Sequence, residues 1–86
     1  MSVENNLQFI EDNYPDVLIA DGFDDAIIGI AERYGMNPVV LYDKQKCIKI
    51  MQDRDGMTKE EAIEFFYYNI VGAYMGEYTP CFAEIL

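Results

Sequence analysis

Glycine and proline divide this chain into short pieces, and that punctuation limits its fold more than any other feature. Pro15, Asp21-Gly22, the cluster Gly35-Met36-Asn37-Pro38, Gly56 and Gly76 each interrupt a run rich in apolar residues. No low-complexity stretch, linker or internal repeat separates the pieces, so residues 1–86 form a single domain. Its composition is that of a folded protein: 51% hydrophobic and 14% aromatic, too apolar for disorder.

The pieces alternate in type. From Ser2, an N-cap residue, to about Asn13, the apolar residues Val3, Leu7, Phe9 and Ile10 recur near helical spacing until Pro15 stops them. Asp16 to Ala20 is a brief strand-like run closed by Asp21-Gly22. Residues 26–33 are compatible with either helix or strand, but Gly29 and the β-branched Ile27, Ile28 and Ile30 favour strand. With Pro38-Val-Val-Leu-Tyr42 they make a hairpin around the Gly35–Pro38 breaker. Asp43 is the N-cap of a helix to about Arg54, with Cys47, Ile48 and Met51 inward and Lys44, Lys46 and Lys49 toward solvent. Thr58-Lys-Glu-Glu61 is a capping box that opens a helix expected to reach Met75, and Thr79 to Ile85 is a final strand. The fold class is α+β: a small, mainly antiparallel sheet of about three strands with two or three helices against it.

The last helix is apolar nearly all round. Ala62, Ile63, Phe66, Ile70, Ala73 and Tyr74 share one face, while Glu60, Glu64, Val71 and Met75 lie opposite, flanked by Tyr67 and Tyr68. So small a domain offers little core to bury all of these. Either the rest of the fold sandwiches the helix, or a partner covers part of it, with Tyr67, Tyr68 and Tyr74 as anchors. The expected partner is a second copy, a dimer first, or another protein.

Charge is segregated. All six Lys and Arg fall between Arg33 and Lys59, eight acids precede them and five follow, within a net charge of −10. A pI near 4.1 makes nucleic acid and anionic membrane poor partners. The acidic N-terminus lacks the basic start of a secretory signal, and no apolar run approaches the roughly 18 residues of a membrane span. A reducing cytoplasm with two buried free thiols follows as the expectation.

Little catalytic chemistry is on offer. There is no His, the only Ser is Ser2, and the glycines stand singly rather than in a phosphate-binding loop. Asp53-Arg-Asp55-Gly56 fails as a calcium loop, because Met51 and Ala62 occupy positions that need ligands. Asp21, Asp24 and Asp25 form the one real carboxylate cluster. They suit a weak cation site or an acid/base pair, but a solvated turn with Asp21 bonding the backbone accounts for them more simply. Asn69, within an apolar helix, needs a hydrogen-bond partner, in the backbone or in a ligand. No cofactor and no metal are expected, and the protein is not expected to be an enzyme.

The segments DGFDDAIIG (21–29), PVVLYD (38–43), DGMTKEEA (55–62) and NIVGAYMGEYTP (69–80) resemble a group of small proteins of no assigned activity encoded in bacteriophage genomes. The resemblance implies a phage or prophage origin and a bacterial cytoplasm. It carries over no catalytic residue, and draws attention to Asp21, Asp25, Asn69, Gly76, Glu77 and Thr79. The function expected is a non-enzymatic, acidic protein-binding module, an inhibitor acting on a host or defence component. The alternative is an oligomer holding a nucleobase-like ring in a pocket lined by tyrosines. Candidate binding residues are Asp21, Asp24, Asp25, Glu60, Glu64, Tyr67, Tyr68, Asn69, Tyr74 and Glu77.

Overall fold

The structure, a computed structural model, describes residues 3–86, with side chains described from Asn6 onward. Ser2, the expected first cap, lies outside the described residues. Helix α1 spans Val3–Asn13 and places Leu7 and Ile10 against the core before Pro15 ends it. Strands β1 (Ile27–Ala31) and β2 (Val39–Asp43) form the expected antiparallel hairpin, and β3 (Cys81–Ala83) lies on the other side of β2. β3 runs parallel to β2. The sheet is therefore mixed, one pair antiparallel and one parallel, because residues 44–80 carry the chain back to the beginning of β2 before the last strand starts. Residues 16–20, expected as a strand, remain outside the sheet. Val17 and Ala20 pack on the core, and the Ala20 N–H donates to the Tyr42 hydroxyl at 2.7 Å.

Register explains which sheet face is filled. Ile27 pairs with Tyr42, Ile30 with Val40, and Tyr42 with Phe82, so these five side chains point the same way. All five belong to or pack on the one hydrophobic cluster, with Phe23, Ala26, Cys47, Ile48, Met51, Ala62 and Phe66 from the helical side. Phe82 stacks on Tyr42 at 5.5 Å between ring centroids and meets Phe66 edge-on at 5.1 Å. Such aromatic pairs add about 0.5–1.5 kcal/mol each beyond area burial.

Helix α2 (Lys44–Asp55) is bounded as its sequence implies. The Asp43 carboxylate accepts from Lys46 N at 3.2 Å, and Gly56 ends the helix at φ 70°, where a side chain would be strained. Helix α3 (Lys59–Phe65) opens with the complete capping box: Thr58 Oγ1 accepts from Glu61 N at 3.1 Å, and Glu61 Oε1 accepts from Thr58 N at 2.9 Å. It does not continue to Met75. From Phe66 to Val71 the helix widens into π-type turns, and Gly72 N donates to Tyr67 O at 3.2 Å, a bond across five residues. A Cβ on residue 72 would lie 3.2 Å from the carbonyl oxygens of both Tyr67 and Tyr68, a close contact at the end of this wide turn. Tyr74 and Met75 consequently leave the helix. Tyr74, expected on the core face, is 79% exposed.

Candidate functional site

The change from α to π geometry decides what the last helix presents. Only Ala62 and Phe66 are wholly buried on it; Ile63 and Ile70 pack at the edge of the core. Phe65, Tyr67, Tyr68 and Val71 remain on the surface, Tyr68 at 78% exposure. Phe65 and Tyr68 form the floor of an open hollow of about 570 Å³ with Met57 and Asn69, and Glu61 and Glu64 complete its lining. Glu60, one turn from Glu64, is also exposed. No basic residue lines this hollow. Glu61 carries its charge firmly, because hydrogen bonds from the Thr58 backbone and side chain hold its carboxyl below the usual range. Asn69 finds its partner locally, donating to Phe65 O at 3.4 Å, and keeps its amide at the surface.

The remaining sequence candidates lie elsewhere. Tyr67 turns to the other side of the segment, where its ring sits 5.2 Å from the Lys44 ammonium. Tyr74 and Glu77 line a second hollow of about 610 Å³ with Met36, Val39 and Thr79, and Asn37 there donates to Glu77 at 2.9 Å. Within one chain the tyrosines therefore do not converge: Tyr68 and Asn69 share one hollow, Tyr74 occupies another, and Tyr67 a third.

Asp24 and Asp25 share a hollow with Asp53 and Arg54. Arg54 supplies the one cation of this lining. Its Nη1 donates to Gly22 O at 2.9 Å, its guanidinium lies 5.3 Å from the Phe23 ring centroid, and it pairs with Asp55 at 3.0 Å. The neighbouring guanidinium holds the Asp55 carboxyl below its usual range. Among the described residues, no three His, Cys, Asp or Glu side chains gather closely enough to hold a metal ion. The cysteines are free, and burial pushes the Cys47 thiol up to about 12. A thiol so protonated is a poor nucleophile. No described helix is long and apolar enough to cross a membrane.

No protein-family model matches the chain, and no curated protein or solved structure is detectably similar to it. The site thus rests on its own geometry. Three of its residues escape the sequence reading as binding candidates: Met57, which precedes the helix; Glu61, whose capping role masks its exposure; and Phe65, an aromatic amid apolar neighbours. Lys44, expected to face solvent, is instead tucked in, its side chain 20% exposed and bonded to Glu84 at 3.2 Å. Residues forty positions apart leave no local signal of such a pairing.

Proposed function

We propose that this protein is a non-enzymatic binding module whose α3 face docks a basic segment of a host or defence protein in a bacterial cytoplasm. The observation that carries the reading is a surface of Phe65 and Tyr68 bordered by Glu61 and Glu64, with Glu60 exposed one turn away and no lining cation. Apolar side chains flanked by one sign of charge suit an amphipathic partner: the aromatics supply buried area, and the carboxylates steer a positively charged chain into register. The absence of His from the sequence and the high thiol pKa of Cys47 both favour binding over catalysis.

The immobilised protein, exposed to bacterial lysate, is expected to retain one specific basic protein that elutes as salt rises. Glu60→Gln with Glu64→Gln should slow its association several-fold while leaving thermal stability unchanged, and Tyr68→Ala should abolish retention. Retention that ignores both salt and these substitutions would overturn the reading. The hollow at Tyr74, Asn37 and Glu77 supports the second reading, a small-ring binder. In that case Tyr74→Ala removes ligand affinity while the glutamine pair stays silent.

A further inference from the structure

We infer that two copies of this chain associate through the outer edge of β3, using a surface separate from the α3 face. β3 ends the sheet, paired to β2 on one side only, and among the described residues no other backbone partner reaches Cys81–Ala83. An unpaired strand edge is a template for another strand unless something blunts it. The opposite edge strand is irregular: the β1–β2 register slips between Ile27 and Gly29, and α1 is in contact with β1. β3 has only its shortness and Pro80 before it. Alongside it runs an open groove of about 380 Å³, walled by Tyr67 and Val71 from the π segment, which are 47% and 45% exposed.

Charge selects a second copy as the occupant. A two-fold contact must be complementary to itself. The α3 face fails that test, because its lining carries Glu61 and Glu64 and no cation to offset the same two carboxylates of a second copy. The β3 groove passes, because it carries one cation and one anion, Lys44 and Glu84, already 3.2 Å apart. A two-fold axis passing beside Ala83, at the C-terminal end of β3, would pair residues 82–84 of the two copies antiparallel, bring Lys44 of each copy within reach of Glu84 of the other, and join both sheets. It would also give Ile85 and Leu86, exposed at 57% and 114%, an apolar surface to cover.

Mixing charge reversals tests this directly. By sedimentation velocity at about 100 µM, where a dimer of moderate affinity is largely formed, the unmodified protein should be dimeric. Lys44→Glu and Glu84→Lys, each alone, juxtapose like charges across the axis and should weaken association about tenfold or more. An equimolar mixture of the two restores both cross-axis pairs and should recover the dimer, an outcome that a purely intrachain role cannot produce. A monomer at that concentration, unimpaired single variants, or a mixture that stays monomeric would each overturn the inference. Should a single variant lose its fold by circular dichroism, Lys44→Glu combined with Glu84→Lys decides instead. That protein keeps the intrachain pair, so it should dimerise with itself and refuse tagged unmodified chain; co-assembly at full affinity refutes the β3 contact.

Discussion

Helix α2 and the α3–π segment pack side by side, and they treat their apolar residues in opposite ways. The 12 residues of α2 bury Cys47, Ile48 and Met51 almost completely and turn Lys46 and Lys49 outward. The 7 residues of α3 and 6 of its π continuation bury only Ala62 and Phe66, and leave four large apolar side chains on the surface. The first helix spends its apolar residues on the core. The second has more than one small domain can bury, and the surplus becomes surface that a partner can cover.

The largest effect should separate two adjacent phenylalanines. Phe66→Ala empties a fully buried site and should lower unfolding free energy by about 3–5 kcal/mol. Phe65→Ala, on the exposed side, should cost under about 1 kcal/mol and act on partner binding instead. Urea midpoints of the two variants check this; equal losses would erase the distinction between core and docking faces.

Alkaline pH probes the buried α2 side. Burial raises Cys47 from 9.0 to about 12. Tyr42, wholly enclosed, rises from 10.0 to about 12, burial outweighing its bond to Ala20. Both groups are favoured in the protonated form by folding, so their contribution is complete below the unfolded values and is lost as pH climbs toward 12. The loss should be on the order of a few kcal/mol in all. Melting temperature should fall through that window, and Cys47→Ala should flatten its lower part. In native protein, a thiol reagent near pH 8 should modify half-buried Cys81 well before Cys47.

A smaller effect tests the wide turn. Gly72→Ala sets a methyl 3.2 Å from two carbonyl oxygens and should cost about 1 kcal/mol, although its backbone φ of −74° suits alanine. A gain in stability would mean that the segment prefers ordinary helix. The smallest effect belongs to α2's outer face: Lys49 and Asp53 pair at 3.5 Å with both side chains mostly exposed, and Lys49→Met should change stability by less than about 0.5 kcal/mol.

Starts of elements were legible because their signals are local. Asp43 and the Thr58–Glu61 box cap the helices where their side chains indicate, and Gly35–Pro38 sits at the turn between β1 and β2. Ends were less legible. Gly56 stops α2 through its own backbone conformation, but the last helix fails four residues before Gly76, through a widened hydrogen-bond ladder that helical periodicity does not encode. The face assignment fails with it: Tyr74 belongs to a loop, and Phe65 and Met57 join the acidic surface.

By itself the sequence determined the α+β class, the β2 strand, the caps, the inward side of α2 and the segregation of charge, since each depends on residues a few positions apart. Only the tertiary structure decided that β3 runs parallel to β2, that Lys44 meets Glu84 and Tyr67, that Arg54 closes the Asp21–Asp25 turn, and which aromatics were left uncovered. Each of these joins distant segments, and the physical reason lies in packing: strand direction and side-chain exposure follow from how residues 44–80 return across the core, not from the propensity of any residue along the way.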